Sequence, residues 1–116
     1  MTDFYIKQND RLPALVAVLT EPPSGGEAKA IDLTKAEKVQ FVAREKAASD
    51  PTAAKIKSDC EITNAAAGEV AYNWGATDTD TSGEFNFEFE ITWEPGKTES
   101  VPRKGYYLLD IEDDLG

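Results

Sequence analysis

The run from Gly83 to Trp93, Gly-Glu-Phe-Asn-Phe-Glu-Phe-Glu-Ile-Thr-Trp, alternates apolar and polar residues along its whole length. Phe85, Phe87, Phe89, Ile91 and Trp93 take the odd positions, and Glu84, Asn86, Glu88, Glu90 and Thr92 the even ones. Successive side chains of a strand point to opposite faces, so this is a strand with one apolar and one acidic face. A helix would scatter the same apolar residues around its circumference. Burying each of them is worth about 1.5–3 kcal/mol before conformational entropy is counted. They are expected to form the centre of the core, and the rest of the chain must supply a face to cover them.

The other segments repeat the pattern at shorter length. Asp3 to Lys7 alternates, with Phe4 and Ile6 on one face, and Asn9-Asp10-Arg11 reads as a polar turn. Pro13 belongs at a strand start or edge, since it lacks an N–H. Ala14 to Leu19 is apolar on both faces. That suits either a strand covered on both sides or one whose outer face meets a partner chain. Glu21 to Glu27, with Pro22-Pro23 and Gly25-Gly26, reads as an exposed loop. Asp32-Leu33-Thr34 reads as a tight corner. Glu37 to Glu45 alternates with Val39, Phe41 and Ala43 inward. Residues 46–54 form a loop with room for one helical turn. Ala54 to Thr63 and Glu69 to Trp74 are further strands, the latter with Val70, Tyr72 and Trp74 on one face. Pro95-Gly96 is a hairpin turn into Thr98 to Val101, and Tyr106 to Ile111 is the last strand. About eight short strands with turns between them predict an all-β chain, an antiparallel β-sandwich forming a single domain over residues 1–116.

Composition narrows the function. The 116 residues carry a net charge of −10, unevenly placed. Residues 1–57 hold 9 basic and 8 acidic groups, and residues 58–116 hold 3 and 14, giving +1 and −11. Phosphate backbones would be repelled, so nucleic-acid binding is not expected. The acidity serves solubility or a basic partner surface. No apolar run approaches the ~20 residues of a membrane helix, and the first residues lack the basic start of a signal peptide. The single cysteine, Cys60, reads as a small buried hydrophobe, and the lack of a disulfide framework suits a reducing compartment.

Histidine is absent. That removes Ser-His-Asp and Cys-His catalysis, His-ligated zinc and the usual general base near neutral pH. No phosphate-binding glycine loop is present. Asp78-Thr79-Asp80-Thr81-Ser82-Gly83 opens like a calcium loop, but its twelfth position is Phe89, on the apolar face, where a bidentate Glu is needed. It reads instead as a structural corner in which Asp78, Asp80 and Ser82 cap backbone amides. The pairs Glu88/Glu90 and Asp113/Asp114 read as solvated charge. No catalytic residue, metal or cofactor is expected, and the chain is not expected to be an enzyme. Tyr5, Tyr107 and Trp93 are the candidate aromatics for a sugar-binding platform, and they fit the core equally well. The acidic row Glu84, Glu88, Glu90 either pairs with Lys38 and Arg44 on an adjoining strand or faces a basic partner.

Taken in order, the motifs resemble a family of tailed-phage proteins, the baseplate upper protein N-terminal domains and their stand-alone relatives. The resemblance lies in Phe4-Tyr5-Ile6-Lys7-Gln8-Asn9-Asp10-Arg11-Leu12-Pro13 before an apolar strand, and in Ile31-Asp32-Leu33-Thr34 leading to Val39-Gln40-Phe41. It continues through Gly68 to Trp74 into Thr77 to Gly83, and ends on Phe87 to Trp93, Val101-Pro102 and Gly105-Tyr106. It implies an immunoglobulin-like sandwich and a virion structural component, made in the host bacterial cytoplasm. It also implies assembly with other virion proteins as a homo- or hetero-oligomer. The family's baseplate proteins continue into further domains, whereas this sequence stops at Gly116, which favours a small neck adaptor or head-decoration subunit. The residues expected at a partner interface are Leu15, Val16, Val18, Pro22, Pro23, Glu84, Glu88 and Glu90. A carbohydrate-binding adhesion module is the alternative reading.

Overall fold

The computed structural model describes residues 2–21, 28–46 and 54–115. Its strands are β1 (Phe4–Lys7), β2 (Leu15–Val18), β3 (Thr20–Glu21), β4 (Lys29–Ala30), β5 (Lys38–Glu45), β6 (Ile56–Asp59), β7 (Glu61–Asn64), β8 (Glu69–Tyr72), β9 (Gly83–Glu94), β10 (Lys97–Val101) and β11 (Tyr107–Glu112). No helix occurs among the described residues. The chain is an all-β sandwich. One sheet has the order β1-β11-β9-β5-β6, with β10 also on β9; the other has the order β2-β8-β7; β3 and β4 form a separate ribbon.

The alternating run is β9, the middle of the larger sheet. Its Phe85–Thr92 segment pairs with β5 on one side. On the other side β11 pairs with Gly83 to Phe87 and β10 with Phe89 to Glu94, so two strands share one edge end to end. Phe85, Phe87, Phe89 and Ile91 are buried. Trp93 departs from the expectation. It lies only half-buried at the end of the sandwich, where its indole N–H donates to Glu99 Oε1 at 2.9 Å. The far ends of a sandwich are covered by loops, not by a facing sheet, so a correct parity does not guarantee full burial.

The opposing face comes from Leu15, Val70, Tyr72 and Trp74 of the smaller sheet and its flanks. Phe41 of β5 is the hub between the layers. It stacks on Tyr72 (centroids 4.5 Å, planes at 14°) and meets Trp74, Phe87 and Phe89 at 5.6, 5.2 and 5.8 Å. Tilted and edge-on contacts of this kind match the ring quadrupoles and add to the area buried.

The segment expected as one strand from Ala54 to Thr63 is two. β6 pairs with β5, and the Cys60 N–H still donates to the Val39 carbonyl at 2.7 Å; beyond it the chain crosses to the other sheet as β7, beside β8. β1 runs parallel to β11, joining the first and last strands. All other strand pairings are antiparallel. Gly68 closes the turn before β8 with φ +71°, and a Cβ there would come within 2.6 Å of the Ile31 carbonyl and 2.9 Å of the Leu19 carbonyl. The helical turn considered for residues 46–54 falls mostly outside the described residues.

Candidate partner-binding surfaces

β2 is the edge of the smaller sheet: it forms a ladder with β8, and among the described residues no strand pairs with its other side. Its residues alternate. Leu15 is 3% exposed and Leu19 is buried, whereas Val16 and Val18 are 60% and 51% exposed. Leu15 was expected at a partner interface; its side chain belongs to the core, and only a trace of it reaches the wall of the groove beside β2. Val16 and Val18 are on a face that the described residues leave uncovered. Of the two readings of this strand, coverage on both sides is therefore not what the described residues provide. Beside β2 the sandwich is open, and a groove of about 200 Å³ runs between it and the β1/β11 edge, lined by Phe4, Val18, Phe87, Phe89 and Tyr107. An edge strand with unpaired backbone groups and apolar neighbours is a template for another chain. Pro22 and Pro23 fall outside the described residues.

The acidic row lies on the opposite, outer face of the larger sheet. β5 adjoins it, but register sets the pairs: Glu88 faces Val42, Glu90 faces Gln40, and Arg44 faces Asn86. Glu84 pairs with Lys46 at 3.5 Å and Glu90 with Lys57 of β6 at 3.9 Å, so Lys38 and Arg44 are not their ion-pair partners. Exposed pairs of this sort contribute about 0–1 kcal/mol. The Glu88 side chain makes no hydrogen bond or ion pair among the described residues. Partial burial raises its carboxyl above the ordinary value; Glu90 adds to the rise and Arg44 opposes it.

The corner from Gly75 to Ser82 is built as a junction. Asp78 accepts a short hydrogen bond from the Tyr72 hydroxyl and another from the Gly75 N–H at 2.7 Å. Burial first, then that hydrogen bond, holds the Tyr72 hydroxyl well above its ordinary pKa. Thr79, the buried polar residue among those described, donates to the Asp10 carbonyl at 2.8 Å. Asp80 accepts from Lys55 Nζ at 2.9 Å and from the Thr81 hydroxyl at 3.1 Å, with a lesser contribution from its own backbone N–H. Its carboxyl is held below the ordinary value, chiefly by Lys55. Ser82 is half-buried beside Gly83 at the mouth of an open groove of about 880 Å³. Asp78, the first oxygen of the calcium-like string, is thus already used by Tyr72 and Gly75. Among the described residues no group of His, Cys, Asp and Glu side chains is arranged to hold a metal ion.

The remaining singled-out residues have structural surroundings. Cys60 is half-buried, and burial, helped by Asp59, pushes its thiol up to about 12, so it stays protonated at neutral pH. Tyr107 lies half-buried against Phe87 at 5.3 Å and Phe89 at 6.3 Å. The exposed aromatics are Tyr5 and Tyr106, at 60% and 51%. Tyr106 was missed. Parity counted back from buried Leu109 and Ile111 puts Tyr107 inward and frees Tyr106, and that signal was present in the sequence.

No protein-family model matches the chain, and no curated protein matches it.

Proposed function

We propose that this chain is a structural subunit of a tailed-bacteriophage particle, in the tail or baseplate, the neck, or the head as a decoration, acting through protein–protein contacts. The observation that carries the reading is the edge strand β2, which the described residues leave uncovered, with Val16 and Val18 exposed beside a groove. A partner strand laid along β2 would satisfy its backbone and cover both valines. The phage assignment itself rests on the ordered motif series from Phe4 to Tyr106. On this reading the chain is not an enzyme, its partners are other virion proteins, and it is made in the host bacterial cytoplasm. The acidic −11 half suits a basic partner and disfavours nucleic acid and anionic membrane surfaces.

Mass spectrometry of purified particles tests this directly. Incorporation at a fixed copy number is expected, with roughly six to twelve copies pointing to neck or baseplate and hundreds to head decoration, because closed symmetry fixes the count. A monodisperse monomer absent from purified particles sinks the proposal.

A further inference from the structure

The outer face of the larger sheet holds a second feature, on the opposite side of the sandwich from β2. A cleft of about 200 Å³ is lined by Val42, Arg44, Asn86, Glu88 and the overhanging ring of Tyr106. The strand register builds it: Arg44 stands opposite Asn86, and Val42 opposite Glu88. Tyr106, just ahead of β11, reaches over from the neighbouring edge.

Its polar groups are placed but not consumed. Arg44 Nη2 donates to the Tyr106 hydroxyl at 3.2 Å, and its guanidinium lies 5.4 Å from that ring's centroid. This holds both side chains, while Arg44 forms no ion pair among the described residues. Glu88 and the Asn86 side chain likewise have no hydrogen-bond partner there. Partly desolvating a carboxylate without a partner costs free energy and gives the fold nothing in return. A concave spot with a few convergent polar groups and an apolar wall is how small-ligand sites are made.

The groups specify the ligand's chemistry. Glu88 accepts hydrogen bonds, Arg44 donates them, and Asn86 does both. An anion would be repelled by Glu88, by neighbouring Glu90 and by the chain's net charge of −10. A cation would meet Arg44 at close range. What remains is a neutral molecule with adjacent donors and acceptors and a C–H surface for the exposed part of the Tyr106 ring. We propose that the Arg44–Asn86–Glu88–Tyr106 cleft binds one neutral pyranose residue of a glycan. It differs from the aromatic platform of Tyr5, Tyr107 and Trp93 that the sequence offered, and it stands apart from the β2 surface.

The test is an NMR titration of the full chain with the methyl pyranosides of glucose, galactose, rhamnose and N-acetylglucosamine, together with disaccharides of each. At least one should shift the amides of Asn86, Glu88 and Tyr106 and leave those of Val16 and Val18 in place. A disaccharide that binds more tightly than its monomer identifies a glycan chain as the source; equal binding identifies a free or terminal sugar. Glu88→Gln, an isostere on an outer face, and Tyr106→Ala should each weaken binding about tenfold or more, since each removes a partner of the sugar. Val18→Lys should leave it unchanged. The proposal is overturned if no pyranoside shifts these amides, if both cleft variants bind as the parent does, or if sulfate or arginine amide occupies the cleft while the sugars do not.

Discussion

β9 and β2 follow the same rule of alternation and end in opposite situations. β9 has partners along both edges, and its apolar row lies between the two sheets. Among the described residues β2 is paired along one edge only, and its second apolar row, Val16 and Val18, faces outward. In β9 each polar position is on the outer face, and the apolar row is covered within the domain. In β2 the apolar residues exceed what the described residues bury. A surplus of this kind is a stability matter in the core and an interaction matter at an edge.

The largest effect that separates the two regions is a deletion in the core under β9. Phe41→Ala removes the ring that touches both sheets and is expected to cost about 3–5 kcal/mol in chemical denaturation. A cost below about 1 kcal/mol would show that the interlayer packing is not what holds the sheets together.

Gly68→Ala comes next. It forces a positive φ on a residue with a Cβ, and that Cβ meets two carbonyl oxygens inside contact distance. A loss of roughly 2–3 kcal/mol is expected, read from the same unfolding curves. Because the Gly68 carbonyl accepts from the Leu19 N–H at 2.8 Å, hydrogen exchange at the end of β2 should quicken with it.

Tyr72→Phe is smaller. It keeps the stack on Phe41 and removes one of the two donors to Asp78, for an expected cost of about 1–2 kcal/mol. An unchanged melting curve would mean that the Gly75 N–H and solvent satisfy the carboxylate without it.

The outer row gives a smaller effect with a defined sign. The Glu88 carboxyl is raised in the folded chain, so the folded state holds its proton more tightly than the unfolded one. Stability from this group is then fully present below the ordinary carboxylate pKa and declines as pH rises through the window up to the raised value. Glu88→Gln should therefore raise the melting temperature slightly at neutral pH, and the gain should vanish at acid pH. A destabilised Gln variant at neutral pH would contradict the sign.

These features were unequally legible in the sequence. Parity along β5, β8 and β9 identified the buried Val39, Phe41, Ala43, Val70, Tyr72, Phe85, Phe87, Phe89 and Ile91, because period-two alternation reports faces directly. Leu15 was placed outward because a strand apolar on both faces hides its own parity. Pairing is not written in periodicity. The switch of sheet at Cys60, the β3–β4 ribbon and the parallel alignment of β1 on β11 are set by long-range contacts. For the same reason the lysine partners of Glu84 and Glu90 came out as Lys46 and Lys57, since register, not proximity in sequence, decides what stands opposite. The cleft at Glu88 was invisible because Arg44, Asn86, Glu88 and Tyr106 come from three separate segments of the chain.

The central claim is that the β2 face serves assembly and not the fold. The measurement that tests it most directly is the double variant Val16→Lys/Val18→Lys, followed for both thermal stability and incorporation into particles. Two exposed positions on an edge should tolerate the change within about 0.5 kcal/mol each, and added charge at an edge blocks strand pairing. A melting curve like the parent's with incorporation abolished is the predicted result. Normal incorporation by a variant that folds as the parent does would contradict the account.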